Sequence, residues 1–535
     1  MNRPDPIAAV RRTLELALEL GVREWCVAAG ARNASLVAAL VEAEGTLGPV
    51  RNFFDERAAG FFAMGRIIES GRPVAVVTTS GTAVAELLPS VIESYYSGHP
   101  LVVISADRPV RYRGSGAPQA IEQCGIFGPY VGLELEIEDA SADFTVPPPR
   151  HRTTPVHLNV CLEEPSLDQT QIRRALAAPP IDRAAKETPD VTIRVPDELL
   201  SWFQDPEELL LVAGALQPAE GRKLARLAEA HGLPVWGEAI SNLGLCATQI
   251  ACAEKVLAGT EIPLRRVLRF GGIPTSRYWR DLEERPDLEV RSLAGPAFPG
   301  LARPSVLHDL CIDDLLSSLA SGPEKGLHTT EHPLLSEGRV ESARLEELLA
   351  KFPKSEPAWV RRIAKTASDL SSVFLGNSLP IREWNLVAGR FHFPCFANRG
   401  ANGIDGALST YYGLSSESRR DSIALVGDLT ALYDLTAPWI VPQLRPAKRT
   451  VIVINNGGGK IFRRLPSLRA LGDEALGTIE NRHEANLEPF ARQWGLEWAG
   501  WKEPSEPLEQ FPNGVLEVTP DPEETESFWR EWSQK

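Results

Sequence analysis

Ile423 to Phe462 reads IALVGDLTALYDLTAPWIVPQLRPAKRTVIVINNGGGKIF. Two apolar, β-branched runs, Ile423–Val426 and Val451–Ile454, each break off into polar residues, Gly427-Asp428 after the first and Asn455-Asn456-Gly457-Gly458 after the second. The stretch between them is long enough for one crossover helix, which makes a βαβ unit. Its strands run parallel, so both polar tips emerge at the same carboxyl edge of the sheet, where open α/β folds bind ligands. A carboxylate, a carboxamide oxygen and a glycine carbonyl there form an oxygen-only half-shell for a hard cation such as Mg²⁺, leaving room for phosphate oxygens and water. Gly457–Gly459, just before a helix start, are expected to let a diphosphate approach and to aim free N–H groups at it. Taken alone, the segment also fits an ordinary βαβ unit with a surface aspartate and an asparagine turn.

Outward from this unit, strands and helices alternate. Pro6 at the first helical position, Asp5 as its cap, an apolar face of Ile7, Val10, Leu14 and Leu18, and Gly21 past the end predict an opening helix. Trp25–Ala28 leads to Gly30-Ala31-Arg32-Asn33, Val74–Val77 to Thr78–Thr82, and Leu101–Ser105 to Asp107-Arg108-Pro109. A second series holds Leu209–Val212, Pro234–Trp236 and Arg266–Arg269. A third holds Val373–Leu375, the two runs above and Val515–Val518. The fold class this predicts is α/β, with parallel sheets covered by helices on both faces. Two linkers divide the chain, one at Ala178–Asp190 and one at Gly322–Gly338. Three domains follow, 1–180, 191–322 and 343–535, the outer two sharing a βα character that fits a duplicated fold.

The bulk composition narrows the function classes. Of 535 residues 43% are apolar and 24% charged, a folding composition, and the net charge of −15 is spread along the chain. No basic stripe exists, which argues against a nucleic-acid or anionic-membrane partner. Cys26, Cys124, Cys161, Cys246, Cys252, Cys311 and Cys395 are odd in number and lack a CxxC pair, which suits thiols in a reducing compartment. With no signal-peptide core and no run of membrane-spanning length, a cytoplasmic protein is expected.

The pattern GDL…NNGGG, with 25 residues from Thr430 to Ile454, resembles the metal–diphosphate signature of thiamine-diphosphate enzymes; the leucine in third place occurs in one branch of that family. Further stretches sharpen the likeness: Ser70–Pro109 with TSGTA and ADRP, GAPQAIEQCGIFG (Gly116–Gly128), LGNSLPIR (Leu375–Arg382) and NRGANGIDG (Asn398–Gly406). Together they resemble the 2-succinyl-5-enolpyruvyl-6-hydroxy-3-cyclohexene-1-carboxylate synthases of menaquinone biosynthesis, strongly in both outer thirds and weakly in the middle.

That resemblance implies a pyrimidine-binding first domain, a Rossmann-like centre and a diphosphate-binding last domain. It also implies decarboxylation of 2-oxoglutarate and 1,4-addition to isochorismate with release of CO₂, using thiamine diphosphate and Mg²⁺ or Mn²⁺. Asp428, Asn456 and the Gly458 carbonyl would hold the metal, with Gly427 and Leu429 also against the cofactor. Glu56, in DERAAGFFAMG, would face the aminopyrimidine ring, an uncharged partner for a tuned acid/base. Ile404 would lie under the cofactor. Arg32, Arg108, Gln119, Arg277, Ser378, Arg382 and Arg399 would face the substrates, and Ile461, Phe462 and Leu465 would form the apolar wall. Both substrates are dicarboxylates, which guanidinium forks bind bidentately. Because the family supplies the activating glutamate from a neighbouring subunit, a homodimer or homotetramer is expected.

Two departures stand out. The family's Gly-Ser-Arg-Ser loop is Gly30-Ala31-Arg32-Asn33 here, and its central basic pair is Ser276-Arg277. Each lost charged hydrogen bond costs about 1.5–3 kcal/mol, enough to raise KM noticeably or to mark a changed acceptor. Another 2-oxoacid decarboxylase or carboligase, and a catalytically silent paralogue, therefore stay open as alternatives. His328-Thr329-Thr330-Glu331-His332 fits H-x-x-E-H, but the glycines and prolines around it favour a linker over a zinc helix. The tryptophans Trp494, Trp498, Trp501, Trp529 and Trp532 are read as packing of the last domain.

Overall fold

The computed structural model describes residues 6–139, 154–164, 194–204, 208–293, 298–320, 331–367, 370–468, 470–506 and 510–534. It contains three parallel sheets flanked by helices, the α/β class expected. The first sheet runs, in spatial order, Val50–Phe53, Trp25–Ala28, Val74–Thr78, Leu101–Asp107, Val156–Cys161 and Leu133–Ile137. The last runs Cys395–Phe396, Ser372–Leu375, Ser422–Gly427, Arg449–Ile454, Gly514–Val518 and Glu497–Trp501. Numbered by chain position within each sheet, both have the order 2-1-3-4-6-5. The outer sheets are therefore topological duplicates. The central sheet is Val306–His308, Glu289–Leu293, Arg266–Phe270, Leu209–Ala213 and Val235–Gly237.

Inner strands such as Val74–Thr78, Leu101–Asp107 and Arg449–Ile454 are buried along their whole length, as strands covered on both faces must be. That burial is why their sequences are continuous apolar runs. The chain forms two compact bodies. One comprises Met1–Pro189, Gly400–Arg419 and Tyr433–Pro446, and the other Asp190–Arg399, Arg420–Leu432 and Ala447–Lys535. In the first body, Trp25, Val27, Val77, Ile104 and Leu158 share a core. In the second, Trp359, Trp384, Leu425, Ile452 and Leu516 do, and Trp501 and Trp532 join them as the tryptophan-rich tail suggested.

The opening helix is Pro6–Glu19, with Gly21 at φ 90° just beyond it; its expected cap Asp5 lies outside the described residues. So do the Ala178–Asp190 linker and His328–Thr330. The second linker reading needs correction: helix Pro333–Lys351 starts inside Gly322–Gly338, with His332 Nδ1 accepting from Leu334 N at 3.3 Å. The single crossover helix after Gly427 is also corrected. A short helix, Asp428–Tyr433, is followed by a 3₁₀ helix, Ala437–Gln443, in which the interior Pro442 lacks the N–H an α-helical ladder would need. All seven cysteines are free thiols. Among the described residues no helix is long and apolar enough to cross a membrane.

Helix Glu56–Ser70 of the first body packs on helix Ala407–Ser415 at unusually close range. A Cβ at Gly65 would overlap the Thr410 carbonyl, and one at Gly413 the Phe62 carbonyl. Gly65→Ala is therefore expected to cost about 1–3 kcal/mol through overpacking, read as a lower melting temperature. An unchanged melting temperature would show that the two helices can part freely.

Candidate active site

In the last sheet the first and third strands are neighbours, and the chain leaves both at the carboxyl edge. Gly376, after the first, packs tightly against Val426 of the third, where a Cβ would lie 3.1 Å from the Val426 Cα. Strand Ser422–Gly427 runs directly into Asp428, whose carboxyl is buried, and strand Arg449–Ile454 into Asn455-Asn456. The two tips meet. Asp428 Oδ2 accepts from Gly457 N and Gly458 N, both at 2.9 Å, and lies 3.3 Å from His483 Nε2. Asp428 Oδ1 accepts from Leu429 N at 2.6 Å. Asn456 donates through Nδ2 to Glu356 Oε2 at 2.9 Å, which leaves its Oδ1 buried with no hydrogen-bond partner. Gly458, at φ 125°, has the Glu480 carbonyl where a Cβ would stand, and its own carbonyl accepts from Lys460 N at 2.8 Å with one lone pair remaining.

These residues fit a hard divalent cation. An orphaned buried carboxamide oxygen is costly unless something binds it, and the Asp428 carboxyl and the Gly458 carbonyl beside it are oxygens suited to such an ion. The expectation of free glycine N–H groups is corrected: those of Gly457 and Gly458 are taken by Asp428, and that of Gly459 by the Glu480 carbonyl at 2.6 Å. Room for a diphosphate is left at Gly427, whose missing Cβ faces open space.

Next to this edge the loop after Gly459 forms a 3₁₀ helix, Lys460–Arg464, presenting half-buried Ile461 and Phe462, with Leu465 exposed. Buried Glu480 anchors it through Arg463 at 2.5 Å and Lys460 at 3.3 Å and also pairs with Arg482 at 2.7 Å; these three cations outweigh burial and hold its carboxyl below the usual range. Ser378 starts helix Leu379–Val387 at φ 73°, a left-handed backbone that costs energy for a serine and tends to persist at working sites. Arg399 Nη1 donates to Asn377 Oδ1 at 2.6 Å, and its Nη2 lies 3.9 Å from Glu238 Oε1. Arg382 is exposed on the following helix, and Arg277 is exposed at the start of helix Arg277–Asp281, 3.4 Å from Asp281. Ser276, where the family carries a second cation, is buried and caps that helix, accepting from Trp279 N at 3.2 Å.

In the first body, Glu56 opens helix Glu56–Ser70 behind the cap Asp55, which accepts from Ala58 N at 3.0 Å. Glu56 is half-buried, and burial, followed by the charges of Asp55 and Glu86, pushes its carboxyl up. Ile404 lies in a loop tied at both ends. Glu93 accepts from Gly400 N and Ala401 N at 2.6 Å, and Asp434 accepts from Gly406 N and Leu408 N at 2.9 and 2.8 Å. Arg32 donates to the Leu162 carbonyl at 3.1 Å, and burial, with the charge of Arg108 second, draws its guanidinium down. Arg108 donates to the Pro118 carbonyl at 2.8 Å beside Gln119, which is exposed at φ 56°. Asn33, in place of the family's second serine, is buried and holds its own loop, accepting from Gly30 N at 2.8 Å and donating to the Ala28 carbonyl at 3.0 Å. A buried polar chain fixes the neighbouring loops: Gln123 accepts from Gly81 N at 2.9 Å and donates to Asn159, while Asp107 accepts from Arg108 N at 2.7 Å.

The structure thus gathers Asp428, Asn456 and Gly458 at one edge of the second body, and Arg32 and Arg108 at one edge of the first. It adds Glu356, His483, Glu480, Asn377 and Glu238, which sequence reading missed. Only Asn377 carried a sequence signal, inside Leu375–Arg382; the rest reach the site through contacts far apart in the chain.

Residues 9–126 match the family model described as thiamine pyrophosphate enzyme, N-terminal TPP binding domain. The chain is 38% identical to the 2-succinyl-5-enolpyruvyl-6-hydroxy-3-cyclohexene-1-carboxylate synthase of Bdellovibrio bacteriovorus, over 97% of both chains. It is 37% identical to that of Akkermansia muciniphila over 98% of both, and 32% identical to that of Renibacterium salmoninarum over 92% of this chain and 89% of the other.

Removing Asp428 removes the latch on Gly457 and Gly458 and one of the oxygens offered to a cation. Asp428→Ala is expected to abolish the rise in melting temperature that thiamine diphosphate with Mg²⁺ gives the wild type. A rise equal to the wild type's would take Asp428 out of the metal seat.

Proposed function

Because the chain belongs to the 2-succinyl-5-enolpyruvyl-6-hydroxy-3-cyclohexene-1-carboxylate synthase family of thiamine-diphosphate enzymes, we propose that it decarboxylates 2-oxoglutarate and adds the remaining four-carbon unit to isochorismate in 1,4 fashion. The product enters menaquinone biosynthesis. The observation that carries this reading is the Asn456 Oδ1, buried without a partner beside Asp428 and the Gly458 carbonyl, which suits a Mg²⁺ or Mn²⁺ ion clamping a diphosphate. Bound thiamine diphosphate supplies an electron sink, so that a 2-oxoacid loses CO₂ and its former keto carbon reacts as a nucleophile.

The protein's own groups do the rest. Glu56, its carboxyl raised by partial burial, exchanges a proton at the aminopyrimidine ring. Ile404, held between the Glu93 and Asp434 ties, props the cofactor. Arg32, Arg108, Arg277, Arg382 and Arg399, with Gln119 and Ser378, bind the four substrate carboxylates. Ile461, Phe462 and Leu465 keep water from the reacting carbon. The domains are 1–180 for the pyrimidine, 191–322 at the centre and 343–535 for the diphosphate. The active unit is a homodimer, or a pair of dimers, with Glu56 of each chain serving a neighbour's cofactor. Its place is the cytoplasm, which the seven unpaired thiols support.

Pure protein given isochorismate, 2-oxoglutarate, Mg²⁺ and thiamine diphosphate is expected to release CO₂ and form the adduct identified by mass. CO₂ release without adduct would point instead to a plain 2-oxoacid decarboxylase, and cofactor binding with neither to a silent relative. Glu56→Gln is expected to lower turnover by about 10²–10⁴-fold while cofactor affinity stays near the wild type's. Unchanged turnover would remove the proton-exchange role.

A further inference from the structure

A carboxamide has two chemically opposite ends, and only its oxygen can ligate a cation. At Asn456 the choice of end is made from behind. Its Nδ2 donates to Glu356 Oε2 at 2.9 Å, and the buried Oδ1 faces away from that bond. Glu356 is 2% exposed and is itself held firmly. It opens helix Glu356–Thr366 behind the cap Ser355, and its backbone N–H donates to Thr525 Oγ1 at 3.0 Å. Glu383, fully buried on helix Leu379–Val387, lies close enough to the Glu356 carboxyl that burial, and then the charge of Glu356, raise its proton affinity. Arg464 lies 3.3 Å from Glu383 Oε1 and rests 4.0 Å from the Trp529 ring centroid. A carboxylate pair at this depth needs a purpose to offset the cost of burying it.

We propose that Glu356 is a positioning residue for the metal seat: by accepting from Nδ2 it keeps the Asn456 carboxamide turned with its oxygen toward the cation. Turning the amide over would set Oδ1 against Glu356 and a pair of N–H groups against the metal. Glu383 and Arg464 form the wall that keeps Glu356 from swinging away. This inference rests on the metal–diphosphate reading of Asp428, Asn456 and Gly458.

Reversing the hydrogen bond tests it. Mn²⁺ binding is titrated by electron paramagnetic resonance in the presence of thiamine diphosphate, with the melting temperature of each variant recorded alongside. Glu356→Gln offers a donor to Oδ1 and lets the carboxamide turn; Mn²⁺ affinity is expected to fall about 10- to 100-fold, as when the outer partner of a metal ligand is removed. Adding Asn456→Asp restores one donor facing one acceptor with an oxygen still on the metal side, and most of the affinity is expected to return. Wild-type affinity in Glu356→Gln, or a double variant no better than that single one, overturns the proposal. Should Glu356→Gln fail to fold, Asn456→Asp alone is compared with the double variant: tighter binding in the double supports the proposal, and equal or weaker binding overturns it. A wild type that takes up no Mn²⁺ with thiamine diphosphate overturns the metal–diphosphate reading itself, a result distinct from the others.

Discussion

Two strand tips tied by one carboxylate organise the second body's site. Asp428 ends one strand and accepts the N–H groups of Gly457 and Gly458, which follow the next. The tie fixes the backbone between Ile454 and Gly459, and with it the directions of the Asn456 side chain and the Gly458 carbonyl. It works because the strands are parallel neighbours, paired from Ser422↔Arg449 to Gly427↔Ile454, so both ends arrive at the same edge. A one-residue slip would send Asp428 to the wrong face of the turn.

Everything near that edge reinforces it from a different direction. The Glu480 carbonyl fills the space a side chain at Gly458 would need, while its carboxyl gathers Lys460, Arg463 and Arg482 and pins the loop carrying Ile461 and Phe462. Burial and the neighbouring charge of Glu356 push the Glu383 carboxyl well up, so this buried wall carries less negative charge than two carboxyls imply. The first body shows the same economy on a sheet of identical strand order. There Glu93 and Asp434 tie the loop holding Ile404, and Asp55 caps the helix that begins with Glu56.

The sequence spoke most clearly where burial was uniform. Ile423–Val426 and Val451–Ile454 lie in strands covered on both faces, so an apolar run and a strand are nearly the same statement. Val50–Phe53 escaped notice because Arg51 and Asn52 interrupt it; Arg51 is nonetheless buried through ion pairs with Glu24 and Glu417. Leu133–Ile137, an edge strand reading LELEI, and the exposed Val306–His308 carry too little apolar signal. At the site, Asp428, Asn456 and Gly458 were readable because they follow strands directly. The direction of the glycine N–H groups was not, since it depends on which acceptor arrives across the turn. Glu356 stood beyond reach for a related reason: a glutamate in a helix's first turn resembles a surface residue until Asn456, 100 positions later, is seen to donate to it.

The most direct measurement is anomalous diffraction from crystals grown with thiamine diphosphate and Mn²⁺. The expected result is one strong peak bounded by Asp428, Asn456 Oδ1 and the Gly458 carbonyl, with the diphosphate on its open side. A peak held by other residues, or cofactor density with Asn456 Oδ1 turned away from it, would contradict the metal seat on which the site is built.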